Sequence, residues 1–229
     1  MATPPNPSTP GVPEGFEPLP PGFYMQSALE VAPKLLGALV FTFLPAAPGQ
    51  GPVATAGRIV ETEAYCGPED RAAHSSRGPR HGRTAVLWRT SGHAYCYLIY
   101  GMHTCLNVSC GADGVPHCVL IRAIEPLLGL DAMRARVKAS RQPPVHQLAS
   151  GPGRLCRVLG ISTACNGWPL SHGPLRILRN TSAELPPMAI DTSPRINVDY
   201  AGDDAALPWR FFQRGNRHVS GGAPRNTQG

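Results

Sequence analysis

The sequence predicts a mixed α/β (α+β) fold, a single compact domain in which helices surround a curved, mainly antiparallel sheet. A chain of 229 residues can build one substantial hydrophobic core but is short for two. Its 26 prolines and 25 glycines cut it into many short elements, which argues against a helical bundle. Alternating and apolar runs bounded by turn residues recur along it, as strands require.

Residues 1–22 are rich in Pro, Gly, Ser and Thr, and 221–229 have a similar character, so both are expected to be flexible tails around a folded body over 23–220. Ala38 to Phe43 and Gly57 to Tyr65 read as strands. Alternation would put Ile59, Glu61, Glu63 and Tyr65 on one face of the second. His93 to Tyr100 and His103 to Cys110 read as a hairpin, with Gly101 at the first turn position of a type II′ turn. Cys118 to Ile124 gives another strand. Pro126 is expected to open a helix through Val137, and Ser150 to cap a second helix that ends at Gly160. Trp209 to Phe212 offers a late strand.

The formal charge is +6, and its distribution says more than its total. Between Arg71 and Ala112 there is no Asp or Glu, while Arg71, Arg77, Arg80, Arg83 and Arg89 alternate with His74, His81, His93 and His103. Such clustering suits a phosphate backbone, although it also describes a solvated basic face. Seven cysteines with no C-x-x-C pair fit a reduced intracellular, cytoplasmic protein. No apolar run approaches a membrane span and the N-terminus lacks the pattern of a signal peptide. No zinc-ligand spacing, nucleotide-phosphate loop or serine-hydrolase elbow is present, so neither a metal nor another cofactor is expected.

Glu61 and Glu63 lie two residues apart on one strand, and either carboxylate could act as a general base or be an ordinary strand residue. Side by side they would sit roughly 6.5 Å apart, near the separation of paired glycosidase carboxylates. Tyr65, Tyr95, Tyr97 and Tyr100 are four of the six tyrosines, and their interleaving with arginines and histidines suggests stacking on bases. For Tyr95 strand packing is the preferred reading. Alternation separates Tyr100 from Tyr97 and assigns them different jobs.

Three long segments, GRIVETEAYCGPEDRAAHSSRG, GHAYCYLIYGMHTCLNVSC and CVLIRAIEPLLGLDAMR, resemble the alkyladenine (3-methyladenine) DNA glycosylase family. SGPGRLCRVLGI and PWRFFQRGN extend the likeness over about residues 24–220. LWRTS between Leu87 and Ser91 departs from a loop of Met-Phe-Gly-Pro character.

The resemblance implies a monofunctional enzyme that flips alkylated or deaminated purines out of double-stranded DNA and hydrolyses their glycosidic bond. Glu63 would activate water, with Arg122 holding the carboxylate and Glu61 in support. Tyr65 and Tyr97 would sandwich the base, His74 would read its edge, Asn107 would exclude guanine's amino group, and Tyr100 would fill the gap in the duplex. A monomer with no obligate protein partner suffices for one flipping site. The alternative from another class is a binder of distorted DNA that needs no Glu63, and a third is an RNA-binding protein.

Overall fold

In the computed structural model, which describes residues 11–76, 78, 81–137, 141–181 and 188–221, the sheet is built outward from its longest strand. Strand β3 spans Pro52–Tyr65, and from Ala56 to Tyr65 it pairs antiparallel with β6, His117–Leu128. Its other edge is shared: the first half pairs with β2, Leu39–Pro45, and Glu61 to Glu63 pair with β9, Arg210–Gln213. The hairpin of β4 (Ala94–Ile99) and β5 (His103–Cys110) joins at β6. Outside β2 lie β7 (Leu175–Asn180) and then β1 (Phe16–Pro18), while β8 (Ile190–Ser193) pairs with β9. All nine strands among the described residues pair antiparallel in one open sheet, in keeping with the mixed α/β architecture.

Helices cover one face. Helix α1 is the single turn Pro21–Tyr24. Helix α2, Ala28–Lys34, begins at a capping box in which the Ser27 amide and hydroxyl donate to Glu30, and buries Ala28, Val31 and Ala32. Helix α3 spans Leu130–Ala135 and α4 Val145–Leu148. Helix α5, Pro152–Leu159, places Leu155, Cys156, Val158 and Leu159 on one buried stripe. These side chains meet Ile59, Ala64, Ile121 and Ile124 of β3 and β6 in the main core.

Paired irregularities in β3 and β6 change the expected alternation. Ile59 pairs with Ile124 and Glu61 with Ala123, so Val60 is an extra residue on β3; Thr62 then pairs with Ile121, so Arg122 is an extra residue on β6. Ile59 therefore joins the core, and the Thr62 hydroxyl bonds the Ala32 carbonyl at 2.9 Å. Ile59 does not share the face of Glu61, Glu63 and Tyr65, because the bulge shifts the period by one. The matching irregularity on β6 turns Arg122 toward both glutamates.

Other boundaries also move. Pro126 lies in β6, paired with Gly57, and the next helix starts only after Gly129, whose φ of 74° ends the strand. Ser150 bridges to Ala123, and Gly151 takes the N-cap of α5. Within the stretch expected to be a flexible tail, β1 pairs with β7 and Phe16 packs against the cluster of Phe41 and Leu178, because one aromatic side chain has apolar surface to bury. Residues 1–10, 222–229, Arg77 and Arg80 lie outside the described residues. All seven cysteines are free and six are buried. Among the described residues no helix is long and apolar enough to cross a membrane.

Candidate active site

The face of β3 turned away from the helices carries Glu61, Glu63 and Tyr65, and an open cleft of about 980 Å³ lies beside it. Tyr65, His74, Tyr97, Tyr100, Asn107 and Arg122 all line this cleft. Glu63 stands directly behind its wall with no exposed surface.

The two glutamates have different surroundings. Glu61 Oε1 accepts from Arg122 Nε at 3.1 Å, Arg210 Nε at 2.7 Å and the Ser220 hydroxyl at 2.9 Å, while Oε2 accepts from the Ser220 amide at 2.7 Å. Four donors leave it little capacity for another partner. Glu63 Oε1 accepts from the Ile196 amide at 2.8 Å and lies 3.2 Å from Arg122 Nη1. Among the described residues its Oε2 accepts only from the Tyr65 hydroxyl, at 2.9 Å. Since a carboxylate oxygen offers about two lone pairs, Oε2 has an acceptor position to spare. Burial works against the charge on Arg122, but Glu63 and Glu61 more than offset it and hold its pKa above the ordinary guanidinium value. Burial and the Glu63 carboxylate likewise push the Tyr65 phenol well above its usual range, so it remains a donor.

The aromatic wall comes from the hairpin and one loop. Across the ladder Tyr95 faces Asn107 and Tyr97 faces Cys105. The Asn107 amide is fixed by donating to the Tyr95 carbonyl at 3.2 Å. Tyr95 is buried with Val86, Leu87 and Cys118, as strand packing implies, and its hydroxyl also meets His74 Nδ1 at 2.8 Å. The His74 ring stands edge-on to Tyr97 with centroids 4.6 Å apart. The LWRTS departure falls partly in a 3-10 helix, Gly82–Trp88, that packs behind Tyr95.

The loop bearing His74 is tied down by Asp70. Its carboxylate accepts from the amides of Cys66 and Ala72, both at 3.0 Å, and from both terminal nitrogens of Arg195. Burial, reinforced by the nearby Arg83 charge, lowers the His74 pKa. Burial also lowers those of His117 and His218. Folded values below the unfolded one mean that the unfolded chain takes up protons first as pH falls. Stability from these groups is therefore fully present above the unfolded value of about 6.5 and is lost below it. The urea midpoint should accordingly drop between pH 7.5 and 5.5; a midpoint that holds or rises would contradict neutral, buried histidines.

The turn differs from the expected type II′. Tyr100 and Gly101 both have positive φ, 52° and 67°, and the Met102 amide donates to the Ile99 carbonyl, the arrangement of a type I′ turn with tyrosine first. Tyr100 thus leaves the strand and is 73% exposed at the cleft rim, on the same side as Tyr97 rather than opposite it. Among the described non-glycine residues only Tyr100 and Asn197 have positive φ, and both line the cleft. Arg71, Arg154 and Arg157 give the rim positive charge.

Sequence reasoning missed Asp70 with Arg195, the Ile196 amide, and the Arg210 and Ser220 grip on Glu61. Each joins segments more than a hundred residues apart, and no local spacing announces such a pairing. No group of three or more His, Cys, Asp or Glu side chains suited to a metal occurs among the described residues.

The sequence model of the family described as Methylpurine-DNA glycosylase matches residues 22–217. The chain is 45% identical over 208 residues to a protein of Methanocella arvoryzae named "Putative 3-methyladenine DNA glycosylase", covering 90% of this chain and 97% of the relative. It is 42% identical over 212 residues to a protein of Bacillus cereus strain G9842 with the same name, covering 88% and 98%.

Proposed function

Because the chain belongs to the methylpurine-DNA glycosylase family, we propose that it excises alkylated and deaminated purines from double-stranded DNA by flipping them into this cleft and hydrolysing the glycosidic bond. At the coarser level it is a DNA glycosylase of the 3-methyladenine type. One observation carries the finer reading: Glu63 is a carboxylate with a spare acceptor position on Oε2, held by Arg122, Ile196 and Tyr65 behind an aromatic cleft. A water bonded there would be deprotonated as it attacks the sugar, and the anion would stabilise the oxocarbenium-like transition state.

Each wall then has a task. A purine between Tyr65 and Tyr97 stacks on both rings, and one carrying positive charge gains about 0.5–2 kcal/mol of cation–π attraction. His74, with Nδ1 paired to Tyr95, can present Nε2 to the base edge. Asn107, fixed by Tyr95, stands where the amino group of unmodified guanine would have to fit, a clash that the positive charge of 7-methylguanine would have to offset. Unstacking costs a few kcal/mol, and Tyr100, exposed on a strained tip, can offset part of it by entering the vacated space. The rim arginines would hold the backbone of the duplex. One such cleft needs only a monomer, and free thiols suit a reducing interior.

The lesions proposed are 3-methyladenine, 7-methylguanine, hypoxanthine and ethenoadenine, with no strand cleavage. A glycosylase that also nicks DNA uses an amine nucleophile. The chain has two lysines: Lys34, at the end of α2, bonds Gln26 apart from the cleft-lining residues, and Lys138 lies outside the described residues. Incubation with a duplex containing one hypoxanthine should release the free base and leave a strand that breaks only on alkali treatment. Borohydride trapping of a protein–DNA adduct would refute the hydrolytic reading.

A further inference from the structure

The ring that forms one wall of the cleft has a cation behind it. Arg195 carbon Cζ lies 4.8 Å from the centroid of Tyr65 and 4.9 Å from that of Trp209, so the guanidinium is layered between two aromatic rings. Its side chain has no exposed surface, and it does not line the cleft that Tyr65 lines. Its Nη atoms bond Asp70, Ala64 and Asp204, whereas Nε, also buried, has no hydrogen-bond partner among the described residues, as expected of a group packed face-on between rings. Arg195 therefore occupies the face of Tyr65 turned away from the cleft.

We propose that Arg195 is a specificity-determining residue that restrains the preference of the cleft for cationic bases and so lets neutral lesions compete. This rests on the reading that Tyr65 stacks the flipped base. A tyrosine donating to the Glu63 carboxylate presents an electron-rich face that favours cations. A guanidinium on the opposite face opposes that field, and a stacked purine would lie within roughly 8 Å of it, across low-dielectric material that screens it weakly. Asp70, paired with Arg195 at 2.9 Å, softens this repulsion without cancelling it, because it lies at a different distance and angle from the base. A neutral base feels almost none of this.

The measurement is the ratio of single-turnover rates for 7-methylguanine, a cation, and hypoxanthine, which is neutral, in the same duplex. The double variant Arg195→Met with Asp70→Asn removes the pair together and leaves no lone buried charge. Its cation-to-neutral ratio should rise about three- to tenfold. Asp70→Asn alone leaves the guanidinium uncompensated and should move the ratio the other way, which keeps the idea testable if the double variant does not fold. Arg195→Lys, which keeps the charge, should stay near the wild-type ratio. A ratio unmoved in Asp70→Asn, or moved alike in it and the double variant, would make Arg195 a structural support only and overturn the inference. A wild type that releases neither base would instead sink the excision reading itself, and this inference with it.

Discussion

Arg122→Gln is expected to destabilise the protein by about 3–5 kcal/mol and to slow base release by about a hundredfold or more. Arg122 is buried and serves two buried carboxylates, Glu61 through Nε and Glu63 through Nη1. Its removal does not treat them equally. Glu61 keeps Arg210 and both Ser220 donors, whereas among the described residues Glu63 is left with only the Ile196 amide and the Tyr65 hydroxyl. The orphaned charge is therefore Glu63's, and its carboxylate loses the guanidinium that holds Oε1 in place. Arg122→Lys restores a charge but not a fork that spans two acids, so it should recover stability better than rate. Urea unfolding and single-turnover base release measure the two effects. Wild-type values in both for Arg122→Gln would show that the guanidinium is not the link between the acids.

The strands that carry much of this site were legible because their pattern is local, whereas the roles of His74, Asn107 and Arg122 came from the family resemblance. The hairpin that carries Tyr97 and Asn107 was readable from alternation and from Gly101, and the strand with Glu63 from its alternating run. The choice between Glu61 and Glu63 was not readable from spacing. It depends on which carboxylate Arg210 and Ser220 saturate, and those residues arrive from the far end of the chain. Alternation failed at two places for one reason, that backbone irregularities reset it. The Val60 bulge turned Ile59 into the core, and the positive φ of Tyr100 brought it round to the side of Tyr97.

Fold boundaries show the same division between local and tertiary causes. Pro126 looked like a helix start because proline suits a first turn, yet pairing with Gly57 holds it in β6. The segment around Phe16 looked like a tail because its composition is poor in apolar residues, yet β7 offered an edge to pair with. The Asp70–Arg195 pair, which organises the loop under His74 and backs Tyr65, leaves no periodic signal at all.

The central claim is that Glu63 is the base of a hydrolytic excision, and its removal should have the largest effect on chemistry. Glu63→Gln keeps the shape and an acceptor for Tyr65 but loses the charge and the proton affinity, so release of hypoxanthine or ethenoadenine should fall by about 10²–10⁴-fold. Binding depends on the rim arginines and the tyrosines, so it should persist. The decisive assay incubates wild type and Glu63→Gln with a duplex carrying one such base, reads binding by mobility shift, and reveals abasic sites with alkali. Abasic product from the wild type alone, with binding by both, is the predicted result; equal product from both proteins, or binding by both with product from neither, would contradict it.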